Sequence, residues 1–74
     1  MINEAVGDPR YLVFVDANSN KNKFYKAYMN ADKTSYTVEY GRIGAPSYQT
    51  KVYQGDAYDM EDKVMSKIRK GYRD

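Results

Sequence analysis

The chain contains no cysteine, no histidine and no tryptophan. Without cysteine there is no disulfide and no thiolate for metal or nucleophilic chemistry. Without histidine the commonest general base and the imidazole metal ligand are also missing, so most zinc sites and many hydrolase mechanisms are excluded. No apolar run approaches the roughly 20 residues of a membrane span, and the N-terminus lacks a basic segment followed by a long apolar one. These absences lead to the expectation of a soluble, non-secreted protein with no membrane contact and no cofactor. A large excess of charge is lacking too: the formal net charge is +2, too small to signal a nucleic-acid partner by itself.

What remains is 74 residues, enough for one small domain with a compact core. Nine tyrosines make a heavy aromatic load for such a chain. Tyrosine favours strands and can leave a ring half exposed with its hydroxyl wet. Charge is uneven locally. Asp56, Asp59, Glu61 and Asp62 form an acidic block, and Lys63, Lys67, Arg69, Lys70 and Arg73 follow it with no acid until Asp74.

Met1 to Pro9 has little periodicity and ends in Gly-Asp-Pro, which reads as a flexible leader. "RYLVFVDA", Arg10 to Ala17, is a continuous β-branched and aromatic run, the pattern of a strand with apolar surroundings on both faces, and it is expected at or near the centre of a sheet. A polar loop at Asn18 to Asn22 leads to a second strand, "KFYKAYMN". After a turn at Ala31 to Thr34, "SYTVEYGR" alternates, with Tyr36, Val38 and Tyr40 on one face and Thr37 and Glu39 on the other. "SYQTKVYQ", Ser47 to Gln54, alternates again as a fourth strand at an edge. Gly55-Asp56 then changes the period. Ala57, Met60, Val64 and Ile68 recur at helical spacing, Asp56 is placed to cap the helix, and Gly71 stands where a left-handed residue ends one. The expected fold is α+β: a small antiparallel sheet of four or five strands with one C-terminal amphipathic helix packed on it.

Three features stand out for chemistry. In "YGRIG", Arg42 lies between Gly41 and Gly44 at a strand end; the plain reading is a turn or bulge whose glycines take positive φ, with the arginine solvating its rim. Lys63, Lys67 and Lys70 form a stripe along the helix, read first as a solvated face that complements the helix dipole and second as a phosphate contact. Lys23 and Lys26 in "KFYK" interleave base with aromatic, which suits phosphate contact with stacking. Asp59, Glu61 and Asp62 sit where a helix favours acids, with Asp59 and Lys63 spaced for an ion pair, and nothing accompanies them to suggest catalysis.

Taken together, the "KFYK" strand, Tyr40-Gly41-Arg42-Ile43-Gly44, the glutamine Gln49 in the next strand and the helix end "KIRKGY" resemble the WGR domain. That domain is found in poly(ADP-ribose) polymerases and bacterial proteins, and the resemblance runs over residues 10–74. It departs at Tyr40, which replaces the tryptophan of the family motif; the flat ring is kept but the indole donor is lost. The resemblance implies a non-catalytic regulatory module that binds nucleic acid and contacts neighbouring domains, in the bacterial nucleoid or a eukaryotic nucleus. Its partner would be DNA at ends or breaks, with RNA also open. Arg42 becomes the first choice for a bidentate contact to phosphate or to a partner carboxylate. Tyr40 stays open between stacking and core. Lys23, Lys26, Gly41, Gln49, Lys63, Lys67 and Lys70 complete the expected site. The rival expectation is a protein-interaction domain in which the same surface docks on a neighbouring domain without nucleic acid.

Overall fold

A computed structural model describes residues 6–74. Four strands, β1 (Arg10–Asp16), β2 (Lys21–Met29), β3 (Ser35–Arg42) and β4 (Gln49–Gln54), precede one helix, α1 (Ala57–Arg69). The strands form an antiparallel sheet in chain order, β1-β2-β3-β4. The α+β architecture is the one expected from the sequence. The leader reading for Met1 to Pro9 falls largely outside the described residues; within them, Gly7 approaches the Ala57 side chain at the start of α1.

The helix covers one sheet face because its apolar stripe meets alternate strand residues. Met60 and Val64 are fully buried against Leu12, Tyr25, Ala27, Tyr36 and Val38, and Met29, Tyr40, Tyr53, Ile68 and Tyr72 pack around them. Each large apolar side chain in this set contributes about 1.5–3 kcal/mol by leaving water. Tyrosine pairs extend the layer: Tyr36 stacks on Tyr53 at 5.4 Å between centroids, and Tyr25 on Tyr40 at 6.5 Å.

The central placement expected for β1 is not what the chain adopts; β1 is an edge strand. Its apolar run serves two purposes instead. Leu12 faces the core, whereas Tyr11 and Val15 are exposed on the far side of the sheet. The outer edge is covered by the chain's own C-terminus: Val13 and Arg73 exchange backbone hydrogen bonds of 2.8 and 2.7 Å, and Tyr72 packs on Phe14. The hairpin loop is also shorter than expected, because Lys21 and Asn22 already pair with Asp16 and Val15.

Both helix ends are closed. Asp56 accepts from the Asp59 N–H at 3.0 Å and Asp59 returns the contact to the Asp56 N–H at 2.9 Å, a capping box. Asp59 is thereby used, and the expected pair with Lys63 does not form. At the other end Gly71 takes φ +109°; its N–H donates to the Ile68 carbonyl at 3.0 Å and that of Tyr72 to the Lys67 carbonyl at 3.1 Å. These are the paired bonds of a Schellman turn. A side chain at position 71 would also meet Phe14, whose Cε2 lies 2.9 Å from where a Cβ would stand.

A buried arginine ties this end of the molecule together. The Arg10 side chain, only 10% exposed, pairs with Glu61 of the helix and with Asp74, to which its Nε donates at 3.1 Å. Removing one member of a buried pair leaves a desolvated charge, which costs 3–5 kcal/mol when burial is complete. Glu61 and Asp74 are partly exposed, so Arg10→Ala is expected to cost about 2–3 kcal/mol in urea unfolding. Arg10→Lys should recover little of it, since an ammonium cannot span both carboxylates as the guanidinium fork does.

Candidate nucleic-acid interface

Strand alternation sends odd-numbered β2 residues and even-numbered β3 residues toward the helix, and the helix flank adds its own side chains. Three adjoining clefts result along the seam. The first, about 320 Å³, is floored by Tyr25, Tyr40 and Tyr53 and ringed by Lys51, Lys63, Lys67 and Lys70. The second, about 420 Å³, lies beside the arginine motif between Lys23, Tyr40, Gly41, Arg42, Lys67 and Tyr72. The third lies between Phe14, Lys21, Lys23 and the helix end. Lys67 lines all three. Together they gather seven of the chain's 12 lysines and arginines, and among the described residues no acid lines any of them.

The lysines do not simply extend into water. The ammonium of Lys63 sits 4.1 Å from the Tyr53 ring centroid, that of Lys67 lies 5.1 Å from Tyr25 and 6.0 Å from Tyr72, and that of Lys51 is 5.9 Å from Tyr40. Cation–π attraction of this kind contributes about 0.5–2 kcal/mol per pair, more as water is excluded. It partly offsets the crowding of like charge. Burial, and then repulsion from Lys70, Lys63, Lys23 and Lys51, holds the Lys67 ammonium below the ordinary lysine pKa. Burial pushes the Tyr25 and Tyr72 phenols up, so these rings stay neutral beneath the cations.

Arg42 is exposed at the end of β3, opposite Lys23 in register. Its Nη1 donates to the Asn20 carbonyl at 3.2 Å, which anchors the guanidinium on the β1–β2 loop without neutralising it. No carboxylate pairs with it among the described residues. The two glycines of the motif do different things. Gly44 has φ +83° and belongs to a turn closed by the Ala45 N–H on the Arg42 carbonyl at 3.2 Å. Gly41 is an ordinary strand residue paired with Phe24; a Cβ there would lie 3.2 Å from Tyr48 Cβ, so glycine is needed for close approach rather than for positive φ.

Of the residues expected from sequence, Lys23, Tyr40, Gly41, Arg42, Lys63, Lys67 and Lys70 therefore come together along one seam. Tyr40 proves half-buried, with its ring on Tyr25 in the core layer while it also lines two clefts. Gln49 pairs with Tyr40 and is exposed at the start of β4, outside these clefts. Lys26 goes to the opposite sheet face, between Tyr11 and Glu39 in register and 5.7 Å from the Tyr28 ring. Sequence reasoning missed Lys51, Tyr25, Tyr53 and Tyr72. The signal for Lys51 and Tyr53 was present, because β4 alternation puts them on one face, but the strand pairing that decides which face meets the helix was not.

The model of one domain family, the WGR domain, matches residues 8–74. No curated protein and no solved structure matches the chain.

Charge crowding at Lys67 has a measurable cost. Because the native pKa lies below that of the unfolded chain, the penalty is present at neutral pH, where the amine is charged, and is relieved as pH rises toward the ordinary value near 10.5. Lys67→Met keeps the packing stem and removes the charge. Its melting temperature is expected to equal or exceed that of the parent chain at pH 7 and low salt, with the difference shrinking as pH approaches 10.5, as read by thermal unfolding across that range.

Proposed function

This chain belongs to the WGR domain family, non-catalytic modules that bind nucleic acid, and on that premise we propose that it binds DNA at strand ends or breaks, chiefly through backbone phosphates. The observation that carries the reading is the seam on which seven cations converge around tyrosine rings with no acid lining it among the described residues. Phosphate contacts position a protein on nucleic acid without reading sequence, and aromatic rings add stacking that every base accepts.

In this reading Arg42, fixed on the Asn20 carbonyl, presents its remaining N–H groups to a phosphate. Lys23 and Lys67 flank it across the second cleft, and Lys51, Lys63 and Lys70 continue the track over the first. The accessible side of Tyr40 offers a surface for a terminal sugar or base, an interaction of about 1–3 kcal/mol for stacking on an aromatic. RNA suits the same chemistry. Neighbouring protein domains remain partners for the rest of the surface, and any catalytic step would belong to them.

Fluorescence anisotropy with nicked, blunt and single-stranded DNA tests the reading. Affinity should fall steeply with salt, because each lysine or arginine on a phosphate releases counterions. Arg42→Ala and Lys67→Gln should each weaken binding for all sequences alike and lower the salt slope by about 1. Lys26→Ala, on the other sheet face, should leave affinity unchanged. Absence of binding to every form at low salt would exclude the proposal. Binding of a protein partner with shallow salt dependence would favour a domain-docking role for the same surface.

A further inference from the structure

We propose that Lys67 is a site of covalent acylation by small acyl phosphates, with the first cleft of the seam as their docking pocket. The cleft combines two properties that such a reaction needs in one place. It concentrates positive charge with no carboxylate lining it among the described residues, so it attracts a phosphate dianion: Lys51 approaches from β4, and Lys63 and Lys70 from either side of Lys67 on α1. At about 320 Å³ it is also roomier than an acetyl phosphate requires. Lys67 is half-buried, its ammonium near the rings of both Tyr25 and Tyr72 and its side chain lining all three clefts, whereas Lys70 is exposed.

The groups that face Lys67 favour its neutral, nucleophilic amine. On the helix these are Lys63 and Lys70, on β2 Lys21, Lys23 and the neutral Tyr25 phenol, on β3 Arg42, on β4 Lys51, and after the helix the neutral Tyr72 phenol; among the described residues none is negative. Burial and these like charges disfavour its protonated form, so more of the reactive free amine is present than in an ordinary lysine. In the reaction the Nζ lone pair attacks the carbonyl carbon of the acyl phosphate docked on the neighbouring lysines. The new N–C bond forms, the C–O bond to phosphorus breaks, and phosphate leaves with the bonding pair. The amine's surplus proton goes to the departing phosphate, and no electrons are gained or lost overall. The product is an uncharged amide at the centre of the cationic seam. Weakened nucleic-acid binding is its expected consequence, and that consequence alone rests on the function proposed above.

Site-resolved mass spectrometry of the full chain treated with acetyl phosphate tests the assignment without any nucleic acid present. Lys67 is expected to be acetylated at least about fivefold faster than Lys33, which lies exposed in the β2–β3 turn. Inorganic phosphate should suppress that preference by competing for the cleft. N-acetylimidazole, which brings no phosphate, should show a smaller one. Even labelling across the lysines by acetyl phosphate would overturn the proposal, as would a Lys67 preference that is equal for both reagents and indifferent to phosphate. Because affinity for DNA is not the readout, a negative result here leaves the proposed function standing, and loss of DNA binding leaves this result standing.

Discussion

The left-handed turn at Gly71 is the constraint on which the functional end of the molecule depends. It stops α1 after Arg69 and reverses the chain, so that Tyr72 drops between Phe14 and Tyr25, Arg73 pairs with the edge of β1, and Asp74 reaches Arg10. Glycine is required twice over, by its φ of +109° and by the nearness of the Phe14 ring. The same turn gives Lys67 its surroundings. Its carbonyl receives the Tyr72 N–H while its ammonium rests near the Tyr72 ring, so the backbone that closes the helix also builds the wall of the cationic seam.

A second organising fact is where the acids go. Net charge is only +2, yet one seam carries seven cations with no carboxylate lining it among the described residues. The balance is achieved by assigning acids to local structural work elsewhere. Asp56 and Asp59 cap the helix start, Glu61 and Asp74 hold Arg10, Glu39 accepts from the Tyr28 hydroxyl at 2.9 Å on the far sheet face, and Asp32 closes the β2–β3 turn. Each of these six acids is engaged where it stands, away from the lysines of the seam. Under the proposed function, field focusing of this sort is what would guide an anionic partner to one face of a nearly neutral molecule.

Much of this was legible in the residues themselves. The period change at Gly55-Asp56, the alternation in β3 and the Lys-Gly-Tyr helix end identified four strands, a capped helix and its terminating glycine. Arg42 and the helix lysines, singled out separately in the sequence, line adjoining clefts, and the resemblance to the WGR domain agrees with the family match over residues 8–74. What local pattern does not encode is non-local pairing. A continuous apolar strand implies cover on both sides, but not that a C-terminal tail shields an edge while Tyr11 and Val15 stay exposed. Likewise Lys23 and Lys26 are near in sequence and part by strand parity, whereas Lys51 joins the site only through its place beside β3. Gly41 and Gly44 look alike in the motif. One is demanded by a neighbour's side chain and the other by its own φ.

The central claim is that anion recognition belongs to the helix-side seam and not to the open face of the sheet. Amide chemical-shift mapping of the isotopically labelled chain during titration with a short DNA oligonucleotide addresses it directly. The account predicts that perturbations gather at Lys23, Arg42, Lys51, Lys63, Lys67 and Lys70, leaving Tyr11, Lys26 and Val52 unmoved. Perturbations centred on Tyr11, Lys26 and Val52, with the seam unchanged, would contradict it.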